Sequence, residues 1–195
     1  RRIFLVDVHG KHGEPGTNMV VKYQRSVGRG NDGELEVTHD YLELKQQYQN
    51  KGIVEELMAH SFAEYESRGV ARVYVTAGLS GGPYVWADYG FDWSDDTNAR
   101  FTRAFGNWLR EHSTIPHEKI PELMKEIRHS WHLADFGRSG ALGPPDHVPA
   151  GLEKYHLGKA FLLAQRPSWH GNVEIREGSP SWERVKWRLL GEGRK

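Results

Sequence analysis

The apolar positions between Leu35 and Leu44 change phase partway along. Leu35 and Val37 share one parity, and Leu42 and Leu44 share the other. A strand of strict two-residue period cannot change parity without an extra residue, so the pattern predicts a β-bulge between about His39 and Tyr41. A bulge leaves backbone N–H and C=O groups unpaired, where a ligand can use them. Downstream the period lengthens. Val54, Leu57, Met58, Phe62 and Tyr65 recur at helical spacing from Ile53 to Ser67, with Glu55, Glu56, Glu64 and Glu66 largely off that stripe and Gly69 placed to stop the helix. Between strand and helix lies the polar loop Gln47 to Gly52, which delivers several N–H groups to a helix N-terminus, a ready anion site. A strand with free backbone groups that leads into such a helix start suits a long, phosphate-bearing cofactor.

The remaining elements follow from the same reading. Ile3–Val8 and Met19–Arg25 predict two strands, separated by a Gly- and Pro-rich loop. Gly28-Arg-Gly-Asn-Asp-Gly33 matches the dinucleotide fingerprint in letters, but a strand follows it instead of a helix. A hairpin turn on Asn31-Asp32-Gly33 is therefore expected. Val70–Thr76 alternates and is rich in β-branched residues, so residues 35–76 read as strand, helix, strand in one crossover, with the two strands parallel. A turn at Gly78–Pro83 precedes a short helix, Tyr84–Tyr89, closed by Gly90-Phe91. From Asp95 the character changes. Helices are expected at Thr97–His112 and His117–Leu133, then a Gly/Pro loop from Gly137 to Gly151, strand material at His156–Ala164 and Asn172–Arg176, and a terminal helix over Trp182–Leu190.

Composition narrows the classes. A chain of 195 residues fits one domain, and a formal net charge of zero argues against a strongly electrostatic nucleic-acid or membrane-surface binder. The absence of cysteine excludes disulfides, thiolate catalysis and Cys-based zinc sites, and fits a cytoplasmic location. No stretch reaches the roughly 18 consecutive apolar residues of a membrane-spanning helix. The chain opens on Arg-Arg without a Met, as a domain cut from something longer would. His9/His12 and His129/His132 each stand in H-x-x-H spacing. That is not the i, i+4 spacing of a zinc protease helix, no third ligand is indicated, and no metal site is expected. Trp108, Trp131, Trp169, Trp182 and Trp187 lack a basic stripe beside them, so they read as core or pocket wall rather than as base-stacking platforms.

Residues 42–53 carry a resemblance. Leu42-Glu-Leu44 followed by Gln47-Tyr-Gln-Asn-Lys-Gly52 resembles motif A of the GNAT superfamily of acyl-CoA-dependent N-acyltransferases. In that pattern two aliphatic strand residues precede Arg or Gln, two variable residues, Gly, one variable residue, and Gly or Ala. Gln47 and Gly52 match the ends, and Asn50 stands where Gly is usual. Asn is the non-glycine residue most tolerant of left-handed backbone angles. Trp86-Ala-Asp-Tyr-Gly90-Phe91 resembles the end of the family's motif B. The resemblance covers roughly residues 35–91 and the two strands before them.

What it implies is an α/β fold: a single GNAT-like domain over residues 1–195, with a mixed central sheet, splayed parallel strands and a helical insertion at about 95–150 before the last strands. It also implies an N-acyltransferase that moves an acetyl or other acyl group from acetyl-CoA, or a related acyl-CoA, to a small-molecule or peptide amine by direct attack in a ternary complex. Tyr41, Leu42 and Leu44 would face the pantetheine arm, one bulge N–H serving the oxyanion. Gln47, Tyr48, Gln49, Asn50, Lys51, Gly52 and Ile53 would hold the pyrophosphate, and Ser80 would contact the pantetheine. The family's usual general acid, a Tyr, falls at Trp86, whose indole N–H cannot serve. Tyr84 and Tyr89 are the nearest phenols, and Tyr84 is the preferred substitute. For the base, His39, Asp40 and Glu43 lie on the central strand. The alternative is a non-catalytic or repurposed GNAT-like module of a larger multidomain protein, for example a toxin or an assembly protein.

Overall fold

The structure is a computed structural model and describes residues 2–9, 19–78 and 81–192. Its strands are β1 (Arg2–His9), β2 (Met19–Arg29), β3 (Leu35–Leu44), β4 (Val70–Ala77), β5 (Asp92–Trp93) and β6 (Trp169–Glu174). They take the sheet order β1-β2-β3-β4-β6-β5. The α-helices are α1 (Ile53–Ser67), α2 (Gly82–Tyr89), α3 (Asp95–His112), α4 (Ile120–Lys125), α5 (Ser130–Asp135), α6 (Leu157–Gln165) and α7 (Pro180–Val185). The fold is mixed α/β. Its contacts divide it into two compact units, residues 1–75 with 172–195, and residues 76–171.

In the first unit, β1–β2 and β2–β3 are antiparallel, and β3–β4 is parallel, as the single crossover through α1 requires. The β2–β3 turn is the expected hairpin. Gly33 adopts φ 82°, and its N–H donates to the Gly30 carbonyl at 3.0 Å. The phase change in β3 is a bulge. Tyr41 stands opposite Gln24 and His39 opposite Arg25, which leaves Asp40 as the extra residue. The insertion keeps Val37, His39, Leu42 and Leu44 on one face, opposite Val27, Arg25, Tyr23 and Val21. That face and the α1 stripe build the core, where Val21, Tyr23, Val37, Met58, Phe62, Tyr65 and Val73 are buried. Phe62 meets Trp182 of α7 at 6.1 Å between ring centres.

The second unit holds most of the helices of the described residues and spans residues 95–150, where a helical insertion is expected from the sequence. Ser94 caps α3, accepting from the Thr97 N–H, and two aspartates occupy its first turn, where the helix dipole favours them. Phe105, Leu109, Ile120, Leu133, Leu157, Phe161 and Leu162 form the core, each no more than 2% exposed.

Two sequence expectations are corrected here. Residues 156–164 are not a strand. They form α6, because Leu157, Ala160, Phe161 and Ala164 repeat at i, i+3, i+4 and i+7 and His156 caps the first turn. Gly158 lets α6 lie directly on the backbone of α5, since a side chain there would strike the Leu133 carbonyl. The single helix expected at 117–133 is broken into a 3-10 turn, α4 and α5. Asp92 accepts the Ser130 N–H at 3.0 Å and starts α5 afresh.

Candidate functional site

β3 has two halves with different surroundings. From Leu35 to His39 it pairs with β2 on one side and β4 on the other, and the parallel ladder ends at His39 opposite Val75. From Tyr41 to Leu44 its register partners are on β2. Leu42 and Leu44 are half-buried, whereas Asp40 and the loop from Lys45 to Lys51 are largely exposed.

The loop is built to reach a helix start. Residues 46–48 make one 3-10 turn, Asn50 takes φ 60° and Gly52 φ 76°, both left-handed, and α1 begins at Ile53. Asn at position 50 is thus used for the backbone tolerance the sequence suggested. The N–H groups of Tyr48 and Gln49 bond the carbonyls of Lys45 and Gln46 at 2.9 and 3.1 Å. The Gln49 side-chain amide donates to the Leu44 carbonyl at 3.1 Å. Those groups are engaged within the loop, so the backbone donors without a helical acceptor are those of the first turn of α1. The Glu55 carboxylate in that turn would oppose an anion, but Arg188 holds it with bonds of 2.6 and 3.5 Å. Lys51 lies over the Tyr48 ring, 5.6 Å from its centre.

The three proposed bases diverge. His39 is 4% exposed. Its Nε2 lies 2.9 Å from the Tyr23 hydroxyl and 3.0 Å from the Tyr65 hydroxyl, which are themselves 2.9 Å apart. Arg25 donates to Tyr65 at 2.8 Å and to Glu64 at 3.2 Å. Burial, with Arg25 nearby, pushes His39 down to about 3, so the ring is neutral and a weak base. Burial also drives the Tyr23 phenol far above its ordinary range, with the Tyr65 hydroxyl adding to the effect. Glu43 accepts from the Tyr41 hydroxyl at 2.6 Å on the opposite face of β3, with Lys22 over the Tyr41 ring. Asp40, the bulged residue, is the exposed carboxylate at the point where the parallel ladder ends.

Tyr84 belongs to the second unit. Its hydroxyl accepts from Arg138 at 3.1 Å, and the same guanidinium bonds buried Asp88 at 2.6 Å and Asp135 at 2.8 Å. Burial, with Asp88 adding to it, raises the Tyr84 phenol, so it retains its proton at neutral pH. Lys159 sits 4.6 Å over its ring. Trp86 is buried edge-on against Phe91, 5.1 Å between ring centres. Ser80 lies outside the described residues.

Three groupings escape sequence reasoning: the Tyr23–His39–Tyr65–Arg25 cluster, the Glu55–Arg188 pair, and an Asp92–His129 pair in the second unit. Each joins residues far apart in the chain, and no local spacing announces any of them. Comparison of the chain with protein-family models, curated proteins and solved structures finds no match to any of the three.

Proposed function

We propose that the first unit binds an acyl-CoA and that the chain transfers an acetyl or other acyl group from it to a small-molecule or peptide amine. The observation that carries this reading is the change in β3 at Asp40. There the parallel ladder ends, a bulge intervenes, and the strand runs on through a loop with two left-handed residues into the start of α1. The pantetheine arm would lie along Asp40–Leu44, using backbone groups on the edge away from β2. The pyrophosphate would meet the first turn of α1, where Arg188 offsets Glu55. Amine attack on the thioester needs a proton acceptor, and exposed Asp40 suits that task better than buried His39 or Tyr41-bound Glu43.

One observation favours the second reading, a CoA-binding module without catalysis. His39, a candidate base, and Trp86, at the position of the family's usual acid, are both buried. Calorimetric titration with CoA and thiol release from acetyl-CoA over a panel of amines separate the readings. Binding with amine-dependent thiol release supports transfer, and Asp40→Asn should then lower the rate by ten-fold or more with binding retained. Binding without release for any acceptor leaves the module reading. A protein that does not bind CoA at all loses both.

A further inference from the structure

The proposed function makes no use of the second unit's His129-x-x-His132 pair, and its surroundings are unusual. Asp92 is anchored by two backbone N–H groups, those of Ser130 at 3.0 Å and Trp93 at 3.1 Å, both on Oδ1. Its Oδ2 lies 2.6 Å from Nδ1 of His129. An ionised carboxylate can only accept, so Nδ1 is the donor, and in the neutral tautomer of the ring this leaves the lone pair on Nε2. The imidazole is held flat on Trp131, with ring centres 4.4 Å apart and planes 10° from parallel. His132 stands edge-on to His129 at 5.1 Å. Its Nδ1 lies 3.0 Å from the Glu126 carbonyl and 3.3 Å from the Arg128 N–H. That nitrogen therefore has a partner in either tautomer, and the Glu126 carbonyl is the one that leaves Nε2 unprotonated.

A carboxylate or carbonyl behind Nδ1 is the arrangement that fixes a metal-binding histidine. The spacing fits as well. Two imidazoles that share one tetrahedral ion through bonds of about 2.0–2.1 Å stand about 5 Å apart, centre to centre. We propose that His129 and His132, with Asp92 and the Glu126 carbonyl behind them, form an open site for a late first-row divalent cation such as Zn2+. Among the described residues no group of three or more His, Cys, Asp or Glu side chains gathers to hold a metal. The two imidazoles would be the only protein side-chain ligands, and two water molecules or added ligands would fill the remaining tetrahedral positions. The inference does not depend on the acyl-transfer reading.

Calorimetric titration of the whole chain with ZnCl2 at pH 7.5 tests it, with His ring resonances followed by NMR. One equivalent of Zn2+ is expected to bind and to shift the His129 and His132 resonances. His129→Gln and His132→Gln should each abolish that binding, and Asp92→Asn should weaken it by ten-fold or more. His60→Gln, on the exposed face of α1, should leave it unchanged. Circular dichroism confirms that each variant is folded, and if His129→Gln is not, His132→Gln carries the test. Failure of the wild type to bind Zn2+ overturns the proposal, as does binding that survives both histidine substitutions or resonance shifts confined to other histidines. Unchanged affinity in folded Asp92→Asn overturns the role given to Asp92 and the built site with it.

Discussion

His39 and His129 show how one residue type takes two characters from its neighbours. His39 faces two phenols in the core of the first unit and is driven neutral, its charge opposed by burial and by Arg25. His129 is partly exposed in the second unit, and its Nδ1 is matched to an anchored carboxylate 2.6 Å away. Uncharged partners and a nearby cation make a structural histidine. An anion behind one nitrogen orients the other for use. Proximity to the proposed reaction strand, by itself, does not decide which of the two a histidine will be.

The largest expected effect tests the His39 side of the contrast. Its ordinary value of 6.5 falls to about 3 in the folded protein. Between those values the unfolded chain binds the proton more tightly than the folded one, so stability is full above about pH 6.5 and drains away as pH falls toward 3. At about 1.36 kcal/mol per pH unit the loss approaches roughly 4–5 kcal/mol. Urea unfolding at steps from pH 7 to pH 4 should show this acid slope in the wild type and a shallower slope in His39→Gln. Equal slopes would mean that His39 is not held neutral.

The cluster around that ring is tested by Tyr65→Phe. Arg25 can only donate, so the Tyr65 oxygen accepts from it, and the Tyr65 proton serves Tyr23 or His39. Removing the hydroxyl leaves buried partners short of a bond and should cost about 1–3 kcal/mol by urea denaturation. A neutral result would make the triangle incidental. In the second unit, Asp92→Asn keeps an oxygen for the Ser130 and Trp93 amides but turns an amide donor toward Nδ1 of His129. A loss of about 1–1.5 kcal/mol is expected for this partly exposed, charge-assisted bond. The His129 ring should also change tautomer, visible in its nitrogen chemical shifts.

How far the sequence carries the molecule depends on the range over which each feature is encoded. The bulge at Asp40 was legible because Leu35, Val37, Leu42 and Leu44 record it in their own parity. The α1 stripe, the Asn31–Gly33 turn and the parallel β3–β4 pair were legible for the same reason. The segment 156–164 misled because its apolar density suits a buried strand as well as a buried helix. What decides it is the cap at His156 and the seat that Gly158 gives α6 on α5. The side-chain clusters lie beyond any local pattern. His39 finds Tyr65 across 26 residues, and Asp92 finds His129 across 37. The backbone of the candidate cradle was therefore readable, while the ionisable groups could be named but not sorted into buried and available.

The smallest expected effect comes from making at position 129 the substitution already made at position 39. His129→Gln removes a ring stacked on Trp131 and its bond to Asp92, but the site is partly open and the amide can offer Asp92 a replacement donor. Water can take up what the amide leaves unsatisfied, so no buried group is stranded. The loss at pH 7 should stay below about 1 kcal/mol, less than for Tyr65→Phe in the closed cluster. Parallel urea titrations of the two variants measure the difference directly. If His129→Gln proves the more costly, His129 is a structural histidine like His39, and the contrast between an enclosed ring and one oriented for use fails.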